Sequence, residues 1–186
     1  PQNIIKLYDI ITSINYIGII IPFYQNTLSQ AIKKNMLSLK QQNNVFLSIL
    51  TGLMWLMTCG ILHRDIKPDN FMLDDEMNPI IIDFSLSNNS AITKTVCSFA
   101  YRPPEIFENK PYTFSLDMWS FGVMMIEMYT KTIINFNSRK EILDYLNITK
   151  EQIINKLYFF IIKNIFIIEP IKRFTPFQCI NLIKPY

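Results

Sequence analysis

Glycine is scarce in this chain. Its 186 residues hold four, Gly18, Gly52, Gly60 and Gly122, each far from the next. No glycine-rich loop that cradles phosphate through its backbone N–H groups can be assembled from them. Histidine occurs once, at His63, which excludes a histidine-rich metal site. The three cysteines, Cys59, Cys97 and Cys179, share no metal or redox spacing. They imply reduced thiols in an intracellular protein, cytoplasmic or nuclear, not a disulfide framework. Charge is nearly balanced, with 18 Lys and Arg against 15 Asp and Glu for a net +3. Both signs are dispersed, so nothing recommends nucleic acid or a membrane surface as a partner. No basic flank precedes an apolar run, so no signal peptide is visible.

Charge is also missing from a long internal stretch, Gln41 to Leu62. About 20 apolar residues suffice to span a bilayer. Here, however, Gln41, Gln42, Asn43 and Asn44 lead into the stretch, and Ser48, Thr51, Gly52 and Thr58 interrupt it. The pattern predicts a core helix, apolar on most sides. Leu157 to Ile168 is also apolar but carries Lys163 and Asn164, and reads as a second core helix.

What the chain does contain is a dense run of chemistry, His63-Arg64-Asp65-Ile66-Lys67-Pro68-Asp69-Asn70, followed by Ile80-Ile81-Ile82-Asp83-Phe84-Ser85 and Tyr101-Arg102-Pro103-Pro104-Glu105. Transferring a phosphoryl group to a hydroxyl asks the protein for positioning and charge neutralisation more than for covalent chemistry. Asp65 is the candidate to orient an incoming hydroxyl and take its proton. Lys67, two residues on, is placed to reach the transferring phosphate. Asn70 and Asp83 supply the hard oxygens that Mg²⁺ prefers when it is shared with substrate phosphates. Pro68 stiffens the loop between Lys67 and Asn70. Asp69 is expected to be a solvated loop residue.

These segments resemble the protein kinase family. The match covers the catalytic loop at His63 to Asn70, the metal-binding Asp83-Phe84, and the end of the activation segment at Pro103-Pro104-Glu105. It continues through Asp117-Met118-Trp119-Ser120-Phe121-Gly122 and Pro170-Ile171-Lys172-Arg173. Five motifs in order make the likeness specific. The resemblance implies a serine/threonine kinase using ATP and Mg²⁺, a protein substrate with a Ser or Thr acceptor, and an activating protein partner. It implies an α+β, kinase-like fold. Residues 1–25 would be a small-lobe remnant of two strands with the start of the hinge, and residues 26–186 the mainly helical large lobe. The family's glycine-rich loop and strand-three lysine find no counterpart here. The alternative reading is therefore a truncated pseudokinase that serves as a binding or scaffold module.

The resemblance further implies that Glu105 pairs with Arg173, that Asp117 braces the catalytic-loop backbone, and that His63 is a packing residue orienting the loop. It assigns nucleotide contacts to Pro22, Tyr24 and Met72. Ser98 would bridge Asp65 and Lys67, and Arg64 would pair with a phosphate added at Thr93, with Thr95 second. The Tyr-Arg before Pro103 resembles cyclin-dependent and mitogen-activated kinases and implies a proline-directed preference. Ser85 stands where the family has glycine. Serine disfavours backbone angles that glycine permits, so it is expected to restrict the swing of Phe84.

The expected elements are strands at 4–11 and 16–21, a helix at 28–34, a long helix at 42–59 and a hairpin around 71–82. Helices are then expected from Ser115, as N-cap, to about Thr130, and near 138–146, 150–166 and 175–184. Two strands alone are marginal, so residues 1–25 are expected to be poorly protected from hydrogen exchange unless another segment pairs with them.

Overall fold

The computed structural model describes residues 3–89, 97–135, 138–153 and 155–183, with only the backbone of Lys150. Two small antiparallel sheets precede and flank a helical body. β1 (Asp9–Thr12) and β2 (Ile17–Ile20) form a hairpin, while β3 (Asn26–Thr27), β4 (Phe71–Leu73) and β5 (Pro79–Ile81) form a second sheet in that order. The helices are α1 (Leu28–Lys33), α2 (Leu39–Thr58), α3 (Pro104–Phe107), α4 (Ser115–Thr130), α5 (Arg139–Glu151), α6 (Lys156–Ile165) and α7 (Pro176–Ile183). The chain is α+β, with a mainly helical lobe and a two-stranded remnant of a second.

α1 and α2 start where the sequence offers capping boxes. Thr27 accepts from Gln30 N–H while Gln30 accepts from Thr27 N–H, and Ser38 and Gln41 repeat the exchange. Each satisfies two backbone donors that the first turn leaves without partners. The cap at Ser38 begins α2 three residues before the expected start. Along α2, Val45, Phe46, Ile49, Leu50, Leu53 and Leu56 recur at helical spacing and are buried. No described helix is long and apolar enough to cross a membrane.

α4 runs through the centre, buried from Leu116 to Met128. Gly122 lets α6 lie against it: a Cβ there would sit 2.7 Å from Ile165 Cγ2 and 2.9 Å from the Phe166 ring. Gly52 serves β5 likewise, since a Cβ would come within 2.7 Å of Ile81 Cδ1. This contact sets the strand that leads to Asp83 directly on α2.

Several boundaries differ from expectation. Residues 4–11 are not one strand. Ile4 makes a parallel bridge to Ile81, with Ile5 N–H donating to Ile81 O at 3.0 Å and Ile81 N–H to Asn3 O at 2.9 Å. Only Asp9–Thr12 then pairs with β2, in the register Asp9 to Ile20. Ser115 is the first helical residue of α4 and not its cap, because Phe114 already has helical angles; Thr113 Oγ1 accepts the Ser115 N–H at 3.4 Å. No break follows 146: α5 continues to Glu151, and Asn155 Oδ1 caps α6 by accepting from Leu157 and Tyr158 N–H at 3.0 and 3.2 Å.

The β1–β2 hairpin buries none of its apolar side chains. Ile14 is 101% exposed, Ile17 72%, Ile19 66% and Ile10 51%.

Candidate active site

The loop His63 to Asn70 is held by one carboxylate. Asp117, buried on α4, accepts from His63 N–H at 2.8 Å and from Arg64 N–H at 2.9 Å. Burial pushes its carboxyl up from the ordinary value, against the pull of His63 and of the two N–H groups. The double acceptance also supports a left-handed backbone at Arg64, φ +69, which costs a non-glycine residue about 1–3 kcal/mol. His63 is buried and spends both ring nitrogens on the backbone: Nε2 meets Ile82 O at 3.0 Å and Nδ1 meets Asp65 N–H at 3.3 Å. A carbonyl only accepts and an amide N–H only donates, so the proton sits on Nε2.

The Asp65 carboxylate takes four contacts from three residues. Oδ1 accepts from Ser98 N–H at 3.0 Å and from Ser98 Oγ–H at 2.9 Å. Oδ2 takes Lys67 Nζ at 2.8 Å and Asn70 Nδ2 at 2.9 Å. Burial works to raise this carboxyl, but the hydrogen bonds from Lys67 and Ser98 outweigh it and hold it below the ordinary carboxylate range. Lys67 Nζ also donates to Ser98 Oγ at 2.9 Å, closing a triangle of Asp65, Lys67 and Ser98. Asn70 Nδ2 donates to both Asp65 O and Asp65 Oδ2. That commits its nitrogen to Asp65 and leaves its carbonyl oxygen as the atom with lone pairs for a cation.

Asp83 follows β5 and is exposed, with φ +61. Its Oδ1 accepts from Ser85 N–H at 3.2 Å, and the Ser85 contacts hold its carboxyl below the ordinary range. Ser85 itself is not among the positive-φ residues. The left-handed conformation that glycine would favour thus lies at Asp83 and not at Ser85. Phe84 packs edge-on against His63 at 5.0 Å.

Among the described residues no three His, Cys, Asp or Glu side chains converge as a metal cage. Asn70 and Asp83 offer an amide oxygen and a carboxylate, a donor set that fits Mg²⁺ completed by phosphate and water.

The segment Phe99–Tyr101 is anchored on α4. Ser120 Oγ donates to Tyr101 O at 2.9 Å, and the Tyr101 hydroxyl reaches Glu127 Oε1 and Oε2 at 2.8 and 3.0 Å. Ile134 N–H donates to Glu127 Oε1 at 2.7 Å. Burial pushes the Glu127 carboxyl up to about 8. A cleft of about 470 Å³ opens beside this segment, lined by Lys33, Lys67, Asp69, Ser98, Tyr101 and Ile133 among others. Cys97 is left-handed at φ +59, and its carbonyl is taken by Arg102 Nε at 3.0 Å.

Glu105 and Arg173 meet as a bidentate pair at 2.6 and 2.7 Å with both side chains buried. The guanidinium also donates to Ile167 O and Ile168 O and lies over the Trp119 ring at 4.9 Å. Arg64 is buried as well; its Nε donates to Leu86 O and its Nη1 to the Tyr112 hydroxyl at 3.1 Å. Thr93 and Thr95 lie outside the described residues.

The hinge candidates are less gathered. Pro22 and Tyr24 are half-exposed, and Met72 lies opposite Thr27 in the β3–β4 pair. A cavity of about 390 Å³ takes in Tyr24 with Phe23, Asn26, Leu73 and Asp74, but neither Pro22 nor Met72.

The protein kinase domain model matches residues 1–184. The chain belongs to the protein kinase family. Among curated relatives, this kinase chain is 29% identical over 170 residues to mitogen-activated protein kinase 12 of Mus musculus, covering 84% of the chain and 46% of the relative. It is 34% identical over 137 residues to the carbon catabolite-derepressing protein kinase of Saccharomyces cerevisiae, covering 70% and 22%. It is 29% identical over 133 residues to the probable CTD kinase subunit alpha homolog of Encephalitozoon cuniculi, covering 68% and 40%. The chain thus spans less than half the length of these relatives.

Sequence reasoning passed over Tyr112, Ser120 and Glu127. A signal for two of them was present: Asp117, Ser120 and Glu127 fall on one face of an otherwise apolar kinase helix. Buried polar residues at helical spacing mark where other segments attach.

Proposed function

We propose that this chain is the larger part of the catalytic domain of a serine/threonine protein kinase, which transfers the γ-phosphate of ATP to a protein hydroxyl. Residues 26–186 form the large lobe and residues 1–25 a piece of the small lobe. The protein works inside the cell, with an activating protein as a further partner. The observation that carries this reading is the Asp65 cluster. Ser98 Oγ–H already donates to Asp65 Oδ1 while accepting from Lys67. An incoming serine or threonine hydroxyl can be received in the same way. Asp65 would orient it and take its proton as the oxygen attacks. A carboxyl held below its ordinary range is ionised at neutral pH and able to accept. Lys67 would neutralise charge on the transferring group.

Asn70 and Asp83 would hold Mg²⁺, which neutralises phosphate charge when bound. Pro22, Tyr24 and Met72 would contact the base.

The segment after Cys97 supports a proline-directed preference. A substrate residue following the acceptor normally offers a backbone N–H. Here the nearest turned carbonyl, Cys97 O, is already taken by Arg102. Proline has no N–H to leave unsatisfied, so it loses nothing at that position.

The test is phosphoryl transfer by the full-length protein to a serine/threonine peptide library. Transfer concentrated on Ser-Pro and Thr-Pro peptides, and lowered at least about 10²-fold by Asp65→Asn, is the expected result. Transfer unaffected by Asp65→Asn would sink the reading.

A further inference from the structure

The cleft beside the segment Phe99–Tyr101 has a charged rim that the catalytic residues do not use. Lys67 and Ser98, which flank Asp65, line the cleft, and so does Lys33. One cavity of about 470 Å³ therefore joins the position of an acceptor hydroxyl to the last turn of α1. That helix is firmly seated. Leu28, Ala31 and Ile32 are buried, and α1 packs on the turn Pro68–Asn70 that follows Lys67. Lys33 itself is exposed.

Little in the surroundings cancels its charge. No Asp or Glu occurs between Asp9 and Asp65, or between Glu127 and Glu141, while these stretches carry Lys33, Lys34 and Lys131. Lys131 closes α4 and lines a small hollow with Ala31, Ile32 and Asn35, so it belongs to the same rim. Among the described residues no carboxylate lies within ion-pairing distance of Lys33, Lys34 or Lys131. Three acidic residues bear on the cleft. Asp65 is already paired with Lys67 at 2.8 Å. Glu127 is buried behind Tyr101, and that burial keeps it protonated at neutral pH. Asp69, exposed on the cleft wall and without an ion pair, is the opposing charge that remains. An unpaired cation on a concave wall acts on whatever enters the cleft, and a complementary charge on the entering chain is what it selects.

We propose that this rim selects an acidic flank on the substrate: an aspartate or glutamate a few residues from the acceptor pairs with Lys33, and Lys34 and Lys131 reinforce the attraction. The inference rests on the reading of the chain as a serine/threonine protein kinase and adds a charge preference to it. Phe99, Ile133 and Ile134 give the residues in between an apolar wall. Because Lys33 is exposed, the pair is worth at most about fivefold in binding, and salt should weaken it.

The test uses the full-length protein and peptides built on one serine acceptor, with Gln, Glu or Lys placed in turn at each flanking position. Transfer is read as kcat and KM, and binding without nucleotide as Kd from the fluorescence anisotropy of labelled peptides. Each enzyme is scored by its own Glu-to-Gln ratio, so a general change in activity cancels. Wild type should favour Glu over Gln about three- to fivefold at a position on one side of the acceptor. The preference should lie in KM with kcat unchanged between the peptides, and fade as ionic strength rises from about 0.05 to 0.5 M. Lys33→Ala should level the two peptides there, and Lys33→Glu should favour Lys. A wild type with no Glu preference at any position, or with a preference for Lys set by Asp69, would overturn the proposal. So would a Glu preference that survives unchanged in Lys33→Glu. Transfer to no peptide at all, with the Glu preference present in Kd and lost in Lys33→Ala, would overturn the transfer reading and uphold the charge preference.

Discussion

Glu127 offers a measurement that separates one buried group from the rest of the molecule. It is 0% exposed on α4 and takes hydrogen bonds from Tyr101 and Ile134. Burial raises its carboxyl from the ordinary 4.5 to about 8, with Asp69 adding to the rise and Lys33 opposing it. The folded state therefore keeps a proton that the unfolded chain has released. Stability from this group is fully present below about pH 4.5, is withdrawn progressively as pH rises to about 8, and is constant above. At about 1.4 kcal/mol per pH unit, the loss between about pH 5 and about pH 8 is about 4 kcal/mol. That is a large share of the roughly 5–15 kcal/mol that holds a typical domain together. Glu127→Gln places a neutral amide of the same shape against Tyr101 and Ile134. It should remove this slope while keeping both contacts. The assay is urea unfolding of wild type and variant at several pH values from about 5 to 9, followed by tryptophan fluorescence. Asp65 and Asp83 titrate below the ordinary carboxylate range and so lie outside that window in the folded state. The variant should gain on wild type steadily as pH rises. Parallel curves with no divergence would refute the claim that Glu127 is protonated in the fold.

Other outcomes follow from the same contacts. Arg173→Ala leaves Glu105 charged and buried and should cost about 3–5 kcal/mol in urea unfolding. The double replacement Glu105→Leu with Arg173→Met should recover much of that loss, since apolar substitutes for a buried pair are often tolerated. Gly122→Ala pushes a methyl to 2.7 Å from Ile165 Cγ2 and should destabilise by about 1–3 kcal/mol, read as a lowered Tm. In hydrogen exchange of the 186-residue chain, the amides of β1 and β2 should exchange far faster than those of β4 and β5. Equal protection would contradict the exposed hairpin.

The fold was legible wherever a residue's local chemistry and its tertiary role agreed. Thr27 carries its own capping partner three residues on, and α1 begins where expected; the same signal at Ser38 was passed over, and α2 starts three residues earlier than expected. The apolar run Ile80-Ile81-Ile82 gave the strand before Asp83, although only Pro79–Ile81 is laddered. Misreadings arose where two candidates competed locally. Ser115 looked like a cap because Leu116 and Asp117 follow it, yet Thr113 accepts its N–H. Asn155 was overlooked inside an apolar helix because periodicity drowned a single polar residue, yet its side chain caps the start of α6. At the site, the motif residues stand out because they are charged and closely spaced. What could not be read was which residues hold them in place. Tyr112 and Glu127 act across gaps of 48 and 26 residues, and no local pattern encodes such a pairing. The left-handed backbone at Asp83, two residues before Ser85, is likewise a property of the packed chain.

β5 is a crossroads. Asn3 and Ile5 bond its outer edge at Ile81, β4 pairs its inner edge, and Gly52 supplies the flat spot on α2 where Ile81 rests. Two residues further on stands Asp83. A substitution at Gly52, Ile4 or Ile81 touches no catalytic group, yet it shifts the platform from which Asp83 projects. With Asp83 holding a cation as proposed, variants at these positions would announce themselves at the bench as altered metal requirement, and a screen looking only at the motif would never trace the defect to its source.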